Sequence, residues 1–241
     1  MMRLLSAMKL DVMIQVRNKL YSIGIGVGVL VAFALSQLVT PEQLFAIVPT
    51  LMLLVVGGST LLYVAGMILF EKDEGTISAA FISPLRPSEY LMSKVITLTT
   101  LATLESVVMI GGTMLFLSFG QDVSIPNVFL LLVGIVAIAV MYTLMGIIMI
   151  VRYDTITDFL IPLTVVAVVM QMAFLYFIGW MDSPILLLIP VSAPTMIMRG
   201  AYLDLTLGEW VYALGYTAVL LVGMSVWAYR AFEKHIIMDI G

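Results

Sequence analysis

Residues 127–151 read NVFLLLVGIVAIAVMYTLMGIIMIV, 25 positions without a single charge. A helix needs about 20 predominantly apolar residues to cross the hydrocarbon layer, and this run supplies them. Lipid offers no partner to backbone N–H and C=O groups, so a crossing segment must be a helix or a strand of a closed barrel. The run shows no apolar/polar alternation, which selects the helix. Five further segments have the same character, at 21–39, 44–70, 95–119, 159–180 and 210–229. The whole composition agrees: 62% of the 241 residues are hydrophobic and 11% charged, with a mean hydropathy of +1.16. A soluble domain of this length would need more charge to cover its surface. The fold class expected is an all-α integral membrane protein, with one six-span transmembrane domain over 1–241.

End signals sharpen the boundaries. Thr40-Pro41-Glu42-Gln43 offers an N-cap, a proline at the first helical position and a glutamine to close a capping box. Pro49 falls early in the second span and should kink it. Ser124-Ile125-Pro126-Asn127 separates spans three and four, and Asp158 is placed to cap span five. Residues 1–20 read as an amphipathic helix on the membrane surface, its apolar stripe being Leu4, Leu5, Met8, Val12 and Val16. Pro184–Met198 is apolar, but it is only 15 residues long and is interrupted by Pro184, Pro190 and Pro194. It is expected to form a re-entrant hairpin within an extracellular segment, 181–209, before the last span.

Lysine and arginine set the orientation. Six spans put Arg3, Lys9, Arg17, Lys19, Lys72, Arg86, Lys94, Arg152, Arg230 and Lys234 on one side and leave Arg199 alone on the other. Both termini and the loop 71–94 are thus expected in the cytoplasm, in the plasma membrane of a prokaryote.

Several chemistries lack their residues. There is no cysteine, and the one histidine, His235, lies in the polar C-terminal tail. Intramembrane proteases need paired aspartates or a Ser/His dyad within the spans, and phosphatidyl-group transferases need clustered aspartates for metal. Neither arrangement is present. No G-x-x-x-x-G-K-[ST] phosphate loop occurs. Met141, Met145 and Met149 share one helix face, but methionine is a flexible apolar filler and these have no histidine or cysteine companion. Metal, cofactor and catalytic residues are expected to be absent.

The one strongly polar interior stretch, 71–94, reads EKDEGTISAAFISPLRPSEYLMSK. Gly75 can turn the chain, Thr76 can cap a short helix, and Pro84 can stop it. Ser88 can cap the next helix, with Glu89 near its positive end. The short helix would present Ile77, Ala80 and Phe81 within a frame of charge. That suits docking of a soluble partner; an ordinary solvated loop is the plainer reading. The pattern Glu71-Lys72-Asp73-Glu74-Gly75-Thr76, Ser83-Pro84-Leu85-Arg86-Pro87, Glu89-Tyr90 and Lys94 resembles the loop after the second span of type-2 ABC exporter permeases. The likeness extends to the basic N-terminal helix, the six spans and the proline-interrupted segment ending in Arg199-Gly200. Arg3-Leu4-Leu5, Leu10-Asp11-Val12 and Gln15-Val16-Arg17 look most like the fluoroquinolone-export subgroup.

That resemblance implies a membrane-spanning permease subunit, paired with a second copy or a paralogous permease. A separate ABC ATP-binding subunit would bind ATP and Mg and hydrolyse the nucleotide, while this chain bound no cofactor itself. Residues of about 76–83 would form the coupling helix, and Glu71, Glu74, Gly75, Thr76, Ile77, Phe81, Pro84, Glu89 and Lys94 the ATPase-coupling loop. The substrate would be a hydrophobic drug such as a fluoroquinolone. Spans one and five line the dimer contact in that family, which makes Gly24, Gly28, Ala32 and Gln171 candidates for the interface. Small residues equally serve packing within one chain, and Gln171 can pair with a backbone group. Glu105, inside span three, could line the path; a structural hydrogen bond to a neighbouring span is the plainer role. The alternative class is an ion-gradient-driven transporter or channel with Glu105 as proton carrier. Trp180, Trp210 and Trp227 fall at span ends, as interfacial anchors do.

Overall fold

The structure is a computed structural model, and it describes residues 2–73, 85–153 and 155–237. The described residues are helical or irregular, with no strand among them. Six helices are long and apolar enough to cross a membrane: Leu20–Leu38, Pro41–Lys72, Pro87–Ser118, Val128–Ile150, Thr157–Phe177 and Leu207–His235, here spans one to six. A separate N-terminal helix, Met2–Arg17, precedes them. Between it and span one, Lys19 adopts a left-handed conformation (φ 59°), which breaks the helix and redirects the chain.

Two boundaries differ from the sequence reading, both at charged residues. The helix that carries span three starts at Pro87, beside the cap expected at Ser88, and Lys94 is buried and paired within it. Ser88 does not cap it. Arg86 is the N-cap, and the Glu89 side chain accepts the Arg86 backbone N–H at 3.0 Å. Span six runs on past 229, to His235. Other end signals act as read: Gln43 Oε1 accepts the Thr40 N–H at 3.1 Å, and Asn127 Oδ1 accepts the Leu130 N–H at 3.2 Å. Asp158 does not cap span five: Thr155 is its N-cap and accepts the Asp158 N–H, which puts Asp158 in the first turn.

Spans two and four form the packed centre, and spans one, five and six expose most of their surface. Span two carries the irregularity expected from Pro49, which has no N–H to donate and crowds the preceding turn. Immediately after it, Met52–Val56 widens into a π-helical turn, with the Gly57 N–H bonded to the Met52 carbonyl. Such a turn loosens the regular ladder. Two of its carbonyls take donors from other spans: the Tyr142 hydroxyl donates to Leu53 O at 3.2 Å, and Gln171 Nε2 to Leu54 O at 3.2 Å. Gly57 makes the first of these possible, since a Cβ there would lie 2.3 Å from the Tyr142 ring.

The segment before span six consists of a 3-10 turn, Pro184–Leu188, and a short helix, Ser192–Arg199. Residues 192–198 are buried. A Cβ on Gly134 of span four would meet Met198 at 2.8 Å, so that glycine permits the helix to sit directly on span four. The carbonyls of the 3-10 turn are not left bare: Ser192 Oγ donates to Leu186 O, and the hydroxyls of Tyr212 and Tyr216 in span six to Leu187 O and Leu188 O. Irregular backbone is tolerated here because protein side chains complete its hydrogen bonds.

Candidate functional site

The beginning of span three places Tyr90, Ser93, Lys94 and Thr97 at i, i+3, i+4 and i+7, hence on one helical face. In the N-terminal helix Asp11 and Gln15 stand one turn apart. These two polar edges meet. Lys94 Nζ donates to Asp11 Oδ1 at 2.5 Å and also pairs with Glu71 Oε1 from the end of span two. Ser93 Oγ donates to the other oxygen of Asp11. The Tyr90 hydroxyl donates to the other oxygen of Glu71. One turn deeper, Gln15 Nε2 donates to Thr97 Oγ1 at 3.1 Å.

All three charged members are withdrawn from solvent: Lys94 is 1% exposed, Asp11 4% and Glu71 8%. An isolated charge in such a place would be strongly destabilising, so the arrangement holds only because each carboxylate is bonded twice. The ammonium also lies 5.1 Å from the centroid of the Tyr90 ring. That ring in turn stacks on Phe232 of span six at 5.3 Å. Four elements therefore converge on one ionic centre: the N-terminal helix and spans two, three and six. Beside it, Lys72 Nζ donates to Tyr153 O at 3.0 Å, in the turn that leads to span five.

The position of this centre gives it its interest. Glu71 is buried just before the 74–84 stretch, and Tyr90, Ser93 and Lys94 are the first buried polar residues after it. The two flanks of the loop are thus locked to each other and to the N-terminal helix. Of the residues read as the coupling loop, Glu71 and Lys94 come together in this clamp. Glu89 stands apart, bonded to the Arg86 N–H. Glu74, Gly75, Thr76, Ile77, Phe81 and Pro84, and with them the expected short helix, lie outside the described residues.

Asp11, Tyr90, Ser93 and Thr97 were not singled out in the sequence as site residues. The available signal was the polar i, i+3, i+4, i+7 stripe opening an otherwise apolar span, together with an acid and an amide one turn apart in a basic, apolar helix. Among the described residues no group of three His, Cys, Asp or Glu is placed to hold a metal ion. The Ser93 and Tyr90 hydroxyls are taken up by the carboxylates of Asp11 and Glu71, so that the clamp joins one helix to the next.

Glu105, Gly24, Gly28 and Ala32 are buried within the chain itself, and Gln171 is half-buried. Glu105 is 1% exposed; its Oε2 accepts the Ser59 hydroxyl at 3.0 Å, while its Oε1 is buried without a hydrogen-bond partner among the described residues. A Cβ on Gly24 would lie 3.1 Å from the Tyr63 hydroxyl, and one on Gly28 3.2 Å from the Glu105 carbonyl oxygen. Ala32 faces Gly112, whose own Cβ would come within 2.9 Å of it. The small-residue face of span one therefore packs on span three of the same chain. The face it leaves open is the opposite one, with Ile23, Val29, Leu30 and Phe33. Gln171 is bonded to the Leu54 carbonyl, the backbone pairing that the sequence allowed.

Comparison with known proteins gives this architecture a family. The model of the fluoroquinolones export permease protein family matches residues 2–240. Proteins named fluoroquinolones export permease from two Mycobacterium tuberculosis strains, CDC 1551 / Oshkosh and H37Rv, are each 27% identical to the chain over 247 residues. Those alignments cover 100% of this chain and 99% of each relative.

Proposed function

The chain belongs to the fluoroquinolones export permease family, and from that premise we propose that it is the membrane-spanning half of an ATP-driven ABC exporter. It is an exporter permease, a multi-pass membrane protein whose six apolar helices leave the energy source to be supplied. In our reading a separate ATP-binding subunit supplies it, holding ATP and Mg and seating on loop 74–84. A second permease, identical or paralogous, completes the path. The loop and both termini face the cytoplasm of a prokaryotic cell, and the substrate is a hydrophobic drug such as a fluoroquinolone, by analogy with the relatives' names.

One observation carries the coupling part of this reading: the loop's flanks are clamped through Lys94 to Glu71 and Asp11. A loop that only joined two spans would need no buried ionic centre at its base. A loop that receives a mechanical stroke does, because displacement must pass into spans two and three instead of dissipating in slack chain. Rigid packed elements and hydrogen-bonded networks carry such coupling. The gradient-driven alternative would use Glu105, which the chain buries beside Ser59 and the small-residue face of span one.

The experiment is purification of the tagged chain from native membranes in mild detergent, with mass spectrometry of everything that accompanies it. An ATP-binding subunit is expected, together with any paralogous permease. Gly75→Pro and Glu74→Lys should weaken that association or uncouple transport without preventing membrane insertion. A chain that purifies alone and moves solute without ATP contradicts the proposal.

A further inference from the structure

The N-terminal helix turns a different face to each of its surroundings. At about 100° per residue, Asp11 and Gln15 fall on the side that meets span three. Leu5, Val12 and Val16 fall together within an arc of roughly 40° on another side, and they are 63%, 38% and 57% exposed. Lys9 borders that stripe, and Arg17 follows around the helix between two further exposed apolar residues, Met13 and Leu10; both cations are exposed, as is Lys19 in the turn beyond. Among the described residues none of these three forms a salt bridge. The helix carries a single acid, Asp11, and that one is buried in the clamp.

The apolar stripe has a defined neighbourhood. Span one starts at Leu20, three residues after the helix ends at Arg17. The helix is therefore tethered at the bilayer surface, at the end of the bundle that holds the clamp. An exposed apolar stripe there, edged by cations on its outer side, matches acyl chains on one flank and negative headgroups on the other. A soluble partner would account for the cations but would leave the stripe unexplained.

We propose that this helix is a binding site for anionic phospholipid. Leu5, Val12 and Val16 seat against the acyl region, while Lys9, Arg17 and Lys19 hold the headgroup phosphates. Because the opposite side of the helix carries Asp11, lipid binding also fixes one arm of the clamp. This second half rests on the exporter reading above; the binding half does not.

The test uses the full chain in nanodiscs of phosphatidylcholine alone or with phosphatidylglycerol. Native mass spectrometry after transfer to detergent reads which lipid is retained. Phosphatidylglycerol should be retained in preference, and the variant Lys9→Gln/Arg17→Gln/Lys19→Gln should lose that preference. Each charge should contribute on the order of fivefold, as expected for basic residues at an anionic surface. Lys9→Arg/Lys19→Arg should keep the preference, which separates loss of charge from damage to the helix. As the chain has no cysteine, a single spin label at Val16→Cys reports whether the stripe enters the bilayer. Equal retention of the two lipids, or a Val16 label in water, overturns the binding site. Selective retention, with the same ATP-driven transport by the complex purified from native membranes and reconstituted in closed vesicles of the two lipid compositions, overturns the link to the clamp. Absence of ATP-driven transport in either composition would instead count against the exporter reading.

Discussion

The molecule withdraws polar groups from lipid in two contrasting ways. At the loop end it uses formal charge: Asp11, Glu71 and Lys94, with Tyr90 and Ser93 completing the hydrogen bonds. Halfway along span two it uses neutral donors: Tyr142 and Gln171 reach over to the carbonyls of Leu53 and Leu54. The difference lies in what remains when one partner is removed. Loss of a member of a buried ion pair leaves an uncompensated charge, whereas loss of a neutral donor leaves a backbone carbonyl that can find water or another hydroxyl. The ionic centre is thus the more cooperative device, and it stands where we place the input of force. The neutral one keeps an irregular turn intact at the packed centre.

The largest effect should come from Lys94→Met, which strands two buried carboxylates. Breaking a buried pair in this way costs about 3–5 kcal/mol, measured as a loss of thermal stability in detergent and of transport. Adding Asp11→Asn and Glu71→Gln to it should restore much of the stability, because neutral partners no longer need the cation, but not the coupling. If the single variant is as stable as the parent, the contrast between the two regions fails. Next comes Gly57→Ala. Its Cβ would fall 2.3 Å from the Tyr142 ring, and overpacking of this kind costs about 1–3 kcal/mol. Tyr142→Leu in the same chain should relieve part of that cost, a non-additivity open to a double-mutant cycle. Tyr142→Phe keeps the shape and removes only the donor to Leu53, so a loss of about 0.6–1.7 kcal/mol is expected. Gln171→Leu should be the mildest, about 0.6 kcal/mol, since its partner Leu54 lies at a more open surface. Should the two neutral changes exceed Lys94→Met, the ranking is wrong and the π turn is the more critical element.

Much of the fold could be read from the sequence because lipid imposes a simple rule: long apolar runs must be helices. That rule gave six spans and left Pro184–Met198 too short and too interrupted to be a seventh; it is observed as a 3-10 turn and a short helix. The same rule says nothing of Lys94's burial: it treats a lysine as a boundary marker, whereas one held between two carboxylates can sit inside a packed bundle. The candidate site was half legible. Glu71 and Lys94 stood out in the charged stretch, but Asp11 lies 60 residues before the first of them, and its part in the site depends on how the N-terminal helix docks. Gly24, Gly28 and Ala32 show the limit of local pattern most directly. Small residues at this spacing say that a helix approaches closely, without saying which one, and here it is span three. Gln171 was open in the same way until Pro49 and the π turn supplied a carbonyl for it.

The central claim is that the clamp passes work from an ATP-binding subunit into the spans, and one measurement addresses it. The complex purified from native membranes, with parent chain or with Lys94→Met/Asp11→Asn/Glu71→Gln, is reconstituted in vesicles. ATP hydrolysis and drug movement are then followed in the same sample. The account expects both chains to assemble with the ATP-binding subunit and to hydrolyse ATP, with drug movement per ATP falling at least tenfold in the variant. Equal movement per ATP in the two samples would contradict it, as would drug movement by the parent chain with no ATP present.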